Sequence, residues 1–425
     1  MNKIEQLIQQ LCPDGVEYKE LGELGSFYGG LTGKSKNDFQ DGNAKFVTYM
    51  NIFSNIAVRT DMDIFVKIGV NENQNRVEYG DVLFTGSSET PDECGMSSVL
   101  TEKITEPLYL NSFCFGFRLY DKDLFLPDFL KYLFRDDSLR KQIGQTASGV
   151  TRFNISKKRF AKVTIPIPPL PIQQEIVNIL DKFTQLEAEL EAELEARKKQ
   201  YKFYRNELLN FEGKEVEWKT LGEVIVSLKT GLNPRKNFIL NTPDAKNYYV
   251  TVRELNGIGI TFYDKTDRVN DEGLRLINNR SNLEEGDVLF SGTGTIGRTA
   301  LVKEKPKSWN VKEGVYIIKP NQKLINSKFL LFYLNSKQAI LQIDFKTVGS
   351  PVCSIPMADL KKIKFPVLPL AEQERIVGIL DKFDALVAST SSATEGLPAE
   401  IAARRKQYEY YRSKLLSFEP LTTNH

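Results

Sequence analysis

A glycine-rich segment is the first part of the sequence whose residue types suggest chemistry. Gly292-Thr-Gly-Thr-Ile-Gly297 has the glycine spacing that binds dinucleotide phosphates when it lies between a strand and a helix. The strand-like run Asp287–Phe290 precedes it, but residues 298–306 show no helical pattern, so no helix N-terminus is predicted to hold a pyrophosphate. We therefore favour a flexible Gly/Thr loop. An enzyme that uses a nucleotide at residues 292–297 is the alternative.

Other catalytic chemistry finds little support in the sequence. Gly29–Ser35 resembles a phosphate-binding loop, but Tyr28 occupies the position of its required first glycine. The single histidine is the last residue, His425, which removes the commonest general base, the serine triad and most transition-metal sites. The four cysteines lack a Cys-x-x-Cys spacing, so neither a zinc site nor a disulfide framework is predicted. We expect no catalytic residue, no metal and no cofactor in this chain.

Loops rich in basic, hydroxyl and amide side chains suggest a different chemistry, the binding of nucleic acid. Such side chains read base edges and clamp phosphates. Residues 213–365 are basic, with 24 Lys and Arg against 16 Asp and Glu, whereas residues 16–165 have 19 against 20. One such loop is more often a solvated turn, but these loops recur in both halves of the chain. The candidates are Lys34, Lys36, Asn37, Ser87, Ser88 and Arg152 in the first half, and Asn233, Arg235, Lys236, Arg253, Thr293 and Arg298 in the second.

The elements that must position these loops come in two copies. Leu170–Phe183 returns as Leu370–Phe383, and Val16–Glu23 returns as Val216–Glu223, both after 200 residues. A period of this length indicates two tandem domains, here joined cyclically with a pseudo-two-fold axis, which suits a two-fold partner such as double-stranded DNA. The chain start also aligns with the end of the long helix, 200 residues later. Ile4 corresponds to Tyr204, Ile8 to Leu208 and Leu11 to Phe211.

The best-matched part of each copy has the apolar spacing of a long helix. Most steps between apolar residues alternate three and four, which is typical of a coiled-coil seam. Acidic residues come early and basic residues late in both helices, so antiparallel pairing places opposite charges together. The alternative is two solvated helices, each packed on its own domain, and Gly396-Leu-Pro398 is expected to break or kink the second. The predicted seam is Phe183, Leu186, Leu190, Leu194, Tyr201, Tyr204, Phe383, Leu386, Leu397, Ile401, Tyr408 and Tyr411.

The poorly matched parts contain short β-like runs between Gly and Asn turns, and each part closes with one predicted helix, Asp128–Ile143 or Lys328–Ile343. The fold class is therefore α+β, with two α/β recognition domains separated by two long antiparallel coiled-coil helices in a pseudo-two-fold cyclic repeat. The β-like runs include Lys45–Tyr49, Gly80–Phe84, Phe113–Phe117 and Val315–Ile318. The predicted bounds are 1–165 for the first domain, with a short N-terminal helix at 3–11, 166–212 for spacer helix 1, 213–365 for the second domain, 366–420 for spacer helix 2 and 421–425 for a tail.

These motifs together resemble a known family. Leu-Pro-Ile-Gln-Gln-Glu-Ile-Val with Leu-Asp-Lys-Phe at 170–183, Arg-Lys-Lys-Gln-Tyr at 197–201 and Gly-Asp-Val-Leu-Phe at 80–84 look like the specificity subunit of type I restriction-modification enzymes. So does the repeat of Leu186, Leu190 and Leu194. The resemblance implies two target recognition domains, each reading one half of a split asymmetric site in double-stranded DNA, held apart by the spacer helices.

The resemblance also implies partners that supply the catalysis. These are two methyltransferase subunits, which bring S-adenosylmethionine, and restriction subunits, which use ATP and Mg²⁺; the chain itself would be non-catalytic. No apolar run approaches the ~20 residues of a membrane span and the chain start does not read as a signal peptide, so we expect a cytoplasmic protein without a membrane partner. A coiled-coil scaffold with no role on DNA is a further alternative.

Overall fold

The structure is a computed structural model that describes residues 3–235, 237–387 and 396–422. The chain divides into two compact units, unit 1 (Met1–Glu189 with Ala403–His425) and unit 2 (Leu190–Ala402). Lys236, His425 and residues 388–395 lie outside the described residues. Lys236 as a DNA contact and the course of the second spacer helix through 388–395 therefore stay predictions. Within the described residues, no helix is both long and apolar enough to cross a membrane.

Unit 1 combines short helices with antiparallel sheets. In the described part of unit 1 the strands form four sheets, in which β3 and β9 are the parallel pair. The helices are α1 (Lys3–Leu11), α2 (Leu21–Leu24), α3 (Tyr49–Ser54), α4 (Pro127–Leu133), α5 (Asp137–Gln145), α6 (Lys157–Phe160) and α7 (Leu170–Leu208), whose residues fall in both units. The strands are β1 (Tyr18–Glu20), β2 (Gly25–Gly29), β3 (Ala44–Val47), β4 (Phe65–Val66), β5 (Arg76–Val77), β6 (Val82–Thr85), β7 (Ser87–Ser88), β8 (Ser97–Val99), β9 (Leu108–Leu110), β10 (Cys114–Leu119), β11 (Ala147–Ser148), β12 (Phe153–Ile155) and β13 (Thr164–Pro166). The sheet orders are β2-β10-β6-β8, β4-β3-β9-β5, β11-β12-β7 and β1-β13.

Unit 2 is built from the same kinds of element. Its helices are α8 (Leu221–Val224), α9 (Asp271–Ser281), α10 (Ser327–Leu334), α11 (Lys337–Lys346), α12 (Met357–Leu360), α13 (Leu370–Val387) and α14 (Leu397–Leu415), which begins in unit 2 and ends in unit 1. Its strands are β14 (Glu217–Thr220), β15 (Ile225–Thr230), β16 (Asn247–Val250), β17 (Arg268–Val269), β18 (Val288–Ser291), β19 (Thr299–Leu301), β20 (Trp309–Val311), β21 (Val315–Pro320) and β22 (Lys364–Val367). The sheet orders are β15-β21-β18-β19, β17-β16-β20 and β14-β22, with β16 and β20 parallel.

The strand pairing of unit 2 repeats that of unit 1. The strands β15, β21, β18 and β19 take the places of β2, β10, β6 and β8, and each unit contains a parallel pairing in a second sheet. Phe84 of β6 and its counterpart Phe290 of β18 are both fully buried in aromatic-rich cores. The prediction of two mixed helix-and-sheet domains is confirmed, and the β-like runs overlap β3, β6, β10 and β21.

The single helix predicted near the end of each domain is wrong, because each is two helices. α4 ends at Leu133 before α5 begins at Asp137, and α10 ends at Leu334 before α11 begins at Lys337. Asp136 and Ser336 are the N-caps of the second helices, and their side chains accept hydrogen bonds from the backbone N–H groups of Ser138 and Ala339. An N-cap residue needs extended backbone, so these two residues interrupt the helical path.

The alignment of the chain start with the end of spacer helix 1 also needs correction. In unit 2 the helix end supplies Leu209 and Phe211 to the core. In unit 1 the matching side chains are Leu416 and Phe418, which follow α14, whereas Leu11 of α1 is 41% exposed. The backbone N–H of Val16 donates to the carbonyl of Glu419 (2.8 Å), so the chain end closes unit 1 without a covalent link. Within unit 1 the chain end therefore takes the place expected for the chain start, and the pseudo-two-fold cyclic repeat of the whole chain stays a prediction.

Each long helix is anchored in its own unit by a buried glutamine. Gln173 accepts a hydrogen bond from the N–H of Leu126 (2.9 Å) and donates to the carbonyls of Leu124 (3.1 Å) and Pro168 (2.7 Å). Gln373 does the same with the N–H of Asn326 (2.8 Å) and the carbonyls of Leu324 (2.8 Å) and Leu368 (2.7 Å). Both side chains are fully buried and fully bonded, which fixes the direction in which each helix leaves its sheet.

Aromatic residues of the predicted seam contact one another within each unit. In unit 1 the ring of Phe183 lies 5.5 Å from that of Tyr411 and 6.4 Å from that of Tyr408. Glu187 pairs with Arg405 one helical turn further along, so α7 and α14 run antiparallel there. In unit 2 the ring of Phe383 contacts the rings of Tyr201 (6.2 Å) and Tyr204 (5.4 Å).

The aliphatic seam positions are buried unequally. Ile401 is buried, Leu190, Leu194 and Leu397 are partly buried, and Leu186 and Leu386 are 48% and 43% exposed. The seam as a continuous coiled coil therefore stays a prediction.

Candidate nucleic-acid interface

Unit 1 contains a cleft of about 450 Å³ between α3, β7 and the loop before β12. Helix α3 supplies Tyr49, Met50 and Phe53, and it begins there because the Thr48 side chain accepts a hydrogen bond from the N–H of Asn51. The Tyr49 hydroxyl donates to the carbonyl of Ser87 (2.8 Å), which ties α3 to β7. The lining also includes Ser87, Ser88, Glu89, Glu93, Thr151 and Arg152.

Arg152 is the cation of this cleft, and the structure holds it in place by two contacts. Its Nε donates to the hydroxyl of Ser87 (3.1 Å), and its guanidinium carbon lies 5.9 Å from the centre of the Phe113 ring. The Phe113 ring is itself 62% exposed. A guanidinium held against an exposed ring next to a cleft is suited to stacking and to hydrogen bonding with a base.

Unit 2 contains a larger cleft, of about 810 Å³, at the corresponding place. Its cations are Arg235, Arg280 and Lys312, and Glu313 is the one carboxylate among its described lining residues. The side chains of Asn233 and Thr293 add hydrogen-bonding groups. Three cations of the basic segment 213–365 thus line one concave surface, which favours binding of an anion such as a phosphate backbone.

Half of the twelve residues predicted from the sequence meet in these two clefts. Ser87, Ser88 and Arg152 line the first, and Asn233, Arg235 and Thr293 line the second. Their convergence depends on strand pairing, since Asn154 of β12 pairs with Ser87 in unit 1 and Ser354 pairs with Thr293 in unit 2. Their contact with nucleic acid stays a prediction.

Lys34 does not fit the role predicted for it. Its side chain is only 7% exposed, and its ammonium pairs with the Glu72 carboxylate (2.5 Å) and donates to the carbonyl of Lys67 (2.6 Å). The backbone N–H of Gly69 and the pairing with Lys34 lower the pKa of Glu72 to about 2, so this carboxylate is ionised at neutral pH. Lys34 is therefore committed to its own domain. The neighbouring Lys36 and Asn37 lie in a 3-10 turn (Lys36–Phe39) and do not line either cleft.

Arg253 and Arg298 are exposed but engaged within unit 2. Arg253 donates to the carboxylate of Glu254 (2.8 Å) and to the carbonyl of Lys265 (2.9 Å). Arg298 donates to the carbonyl of Val252, a residue that lines the cleft. Arg298 can therefore act beside the cleft, whereas the charge of Arg253 is largely neutralised by its carboxylate partner.

The glycine-rich segment at residues 292–297 is a loop, as expected. It leads into strand β19 and not into a helix, so the helix N-terminus that a dinucleotide site requires is missing at this place. The N–H of Gly294 donates to the carbonyl of Cys353 (2.8 Å), and Thr293 lines the cleft. The segment shapes the second cleft.

Several residues of these clefts were not predicted from the sequence. Tyr49 was missed because residues 45–49 read as a strand, and Met50 and Phe53 follow it on the same helix, α3. The N-cap residue Thr48 was the available signal for that helix. Arg280 and Lys312 come from a helix end and from a turn between two strands, and nothing in their local sequence marks them.

The aspartate of the repeated Gly-Asp-Val-Leu-Phe motif has a structural role in unit 1. Asp81 is 1% exposed and accepts hydrogen bonds from Nε (2.9 Å) and a terminal nitrogen (2.7 Å) of Arg118. The Tyr28 hydroxyl (2.6 Å) and the N–H of Glu78 (2.7 Å) donate to it as well. Its unit 2 counterpart, Asp287, pairs with Lys319 (3.0 Å). The motif fixes the central sheet and lies outside the cleft linings.

Comparison with known proteins gives a family match over most of the chain and two relatives over less than two thirds of it. The family model described as "Type I restriction modification DNA specificity domain" matches residues 13–196 and again 213–401. The specificity subunit of the type I restriction enzyme EcoR124I/EcoR124II of Escherichia coli is 39% identical over 274 residues, which is 62% of this chain and 64% of that protein. A putative type I specificity subunit of Haemophilus influenzae, S.HindORF215P, is 35% identical over 283 residues, covering 64% of this chain and 68% of that one.

Solved structures share the fold at lower sequence identity. A chain from a study of complex assembly and conformational transition of the type I R-M system gives a TM-score of 0.62 at 18% identity and covers 95% of this chain and 97% of that chain. The HsdS subunit from Thermoanaerobacter tengcongensis gives 0.50 at 17% identity and covers 96% of both chains. These likenesses show a common fold.

Proposed function

This chain belongs to the family of type I restriction-modification DNA specificity subunits, and we propose that it is the sequence-reading subunit of such a complex. Each unit would read one half of a bipartite, asymmetric site in double-stranded DNA. The observation that carries this proposal is a pair of clefts that share the segment after the central strand (β6 or β18) and the hairpin turn at 149–152 or 349–352, but that different side chains line. One scaffold with two different reading surfaces is what an asymmetric target requires.

The different linings support different modes of reading. The first cleft offers aromatic and methionine surface with Arg152 and two carboxylates, which favours contacts to bases. The second offers three cations against one carboxylate, which favours contacts to phosphates beside those to bases. Sequence preference in the second half-site would then come from neutral polar side chains such as Asn233 and Thr293.

The helices would serve as spacers and as docking elements. We propose that α7, with α13 and α14, forms the antiparallel pair expected from the sequence and separates the domains at residues 1–165 and 213–365. The contacts of Phe183 with Tyr408 and Tyr411, and of Phe383 with Tyr201 and Tyr204, support this pairing.

Catalysis would reside in partner subunits. Two methyltransferase subunits would bring S-adenosylmethionine, and restriction subunits would use ATP and Mg²⁺, with the assembled complex in the cytoplasm. The chain itself would be non-catalytic.

Domain exchange tests the proposal. The chain is produced with its methyltransferase partner, and the methylated adenines of the host genome are mapped. Replacing residues 216–365 by the corresponding segment of the Haemophilus relative should change one half-site and leave the other intact. The matched exchange of residues 16–165 should change the other half-site. A change in both half-sites from either exchange would contradict the two-reader arrangement.

Two controls separate the alternatives. A nucleotide-using enzyme would bind ATP or NAD when the chain is purified alone, and we expect no such binding. A scaffold without a DNA role would leave the affinity of the methyltransferase complex for a duplex containing the mapped site unchanged when the chain is omitted. We expect loss of specific binding and a steep dependence on salt in the complete complex.

A further inference from the structure

One position of the repeated fold carries very different side chains in the two clefts. In unit 1 a hairpin turns at Gly149–Arg152, with Ala147 and Ser148 paired to Ile155 and Asn154. In unit 2 the turn is Gly349–Val352, with Val348 paired to Ser354. Both glycines have positive φ, and a side chain on either would collide with the carbonyl oxygen three residues on, that of Arg152 or of Val352.

Arg152 and Val352 are therefore structural counterparts. The strand that follows each turn also pairs with the floor of its cleft in the same way, through Asn154 to Ser87 and through Ser354 to Thr293. Both Arg152 and Val352 line their clefts. A position that lies at the same place of the hairpin in both units and carries a different side chain in each is placed to set what each unit reads.

The contacts of Arg152 leave its paired donors available. Its Nε donates to the Ser87 hydroxyl, and its guanidinium carbon lies 5.9 Å from the centre of the Phe113 ring. Among the described residues it forms no ion pair, so both terminal nitrogens can donate to a ligand. The Ser87 contact and the ring restrain the plane of the group, which lowers the entropy lost when it binds.

The surroundings of Arg152 favour a base over a phosphate. Glu89 and Glu93 line the same cleft, and their negative charge repels a phosphate group. Neutral base edges are not repelled in this way. Glu93 also accepts a hydrogen bond from the Ser88 hydroxyl (3.1 Å), which holds its carboxylate inside the cleft.

We propose that Arg152 selects a guanine in the half-site read by unit 1. Two parallel N–H donors of an arginine match the O6 and N7 acceptors of guanine in the major groove, and adenine, cytosine and thymine do not present that pair. Val352 has no donor, so the second half-site has no corresponding guanine requirement at this position. The inference rests on the proposed DNA-reading function and names the base that one of its residues reads.

The test uses the full chain in complex with its methyltransferase partner. The wild-type site is mapped first, and binding is then measured on duplexes that carry each base at every position of the first half-site. In Arg152→Gln and Arg152→Lys, one guanine position should lose its selectivity by roughly 5- to 150-fold, while the second half-site is unchanged. Lysine keeps the charge but not the paired donors, so it should lose selectivity as well. Arg59→Gln, which removes a surface cation paired with Asp61, is the matched control and should change no position.

The outcomes are distinguishable. Uniform weakening on all duplexes by Arg152→Gln, with recovery in Arg152→Lys, would identify a phosphate contact and overturn the proposal. Unchanged selectivity in both variants would overturn it too. A wild-type complex with no sequence preference would instead refute the proposed function. If circular dichroism shows that Arg152→Gln is unfolded, Arg152→Lys keeps the charge and the aliphatic stem and decides the question.

Discussion

Replacing the buried glutamine at the start of each spacer helix should loosen one unit and leave the other intact. Gln173 and Gln373 are fully buried. Each makes two hydrogen bonds to the backbone just before α4 or α10 and one to the backbone just before its own helix. Methionine has a similar length and volume but cannot make these bonds. Gln173→Met would leave the N–H of Leu126 and the carbonyls of Leu124 and Pro168 without their partner.

The size of the effect follows from the cost of an unpaired buried polar group. Each such group costs about 1–3 kcal/mol, and burial of the apolar methionine side chain recovers part of the sum. We therefore expect each substitution to destabilise its unit by roughly 2–4 kcal/mol. Since every 1.4 kcal/mol is a factor of about ten, the amides that exchange by unfolding of that unit should exchange roughly 30- to 700-fold faster.

Hydrogen exchange with mass spectrometry suits this measurement because a two-unit protein need not unfold in one step. Gln173→Met should deprotect β6 and β10 of unit 1, and Gln373→Met should deprotect β18 and β21 of unit 2. Gln174→Met is the control, because Gln174 is exposed and, among the described residues, its side chain bonds to Asn178 alone (3.0 Å), on its own helix. Protection in Gln173→Met equal to that in the control would refute the reasoning, since the three bonds would then contribute nothing.

Three further changes test other parts of the structure. Asp81→Asn leaves the Arg118 guanidinium without its buried carboxylate and should destabilise unit 1 by about 3–5 kcal/mol, measured as lost amide protection in β10. Burial and the charge of Asp381 raise the pKa of Asp384, so the stability of unit 2 falls as the pH rises and this carboxyl group ionises. Asp384→Asn should therefore raise the thermal midpoint of unit 2 at pH 7. It should give no gain at pH 3, which lies below the ordinary pKa of an aspartate. Phe183→Ala removes contacts to Tyr408 and Tyr411 and should cost about 1–2 kcal/mol, seen as faster exchange in α14 with no change in β18.

Local spacing in the sequence was enough to identify the repeat and the long helices. The return of Leu170–Phe183 at Leu370–Phe383 marks two copies, and steps of three and four residues mark α7 and α13. Such patterns are visible because side chains three and four residues apart share one face of a helix, whatever the rest of the fold does. The sequence after residues 292–297 has no such spacing, so the lack of a helix there could be predicted as well. By contrast, the breaks before α5 and α11 depend on single side chains that cap a helix, and an apolar pattern does not reveal them.

The binding surfaces were decided by tertiary structure. Ser87 and Arg152 are 65 residues apart, and they meet because β12 pairs with β7. Lys34 and Arg152 look alike in sequence as cations in polar loops, yet the fold supplies Lys34 with a carboxylate and gives Arg152 a hydroxyl and an aromatic ring. Which cations remain available to a ligand depends on which acidic groups long-range pairing brings within ion-pair distance. Sequence spacing carries no information about that distance, because the strength of an ion pair depends on separation in space and on burial.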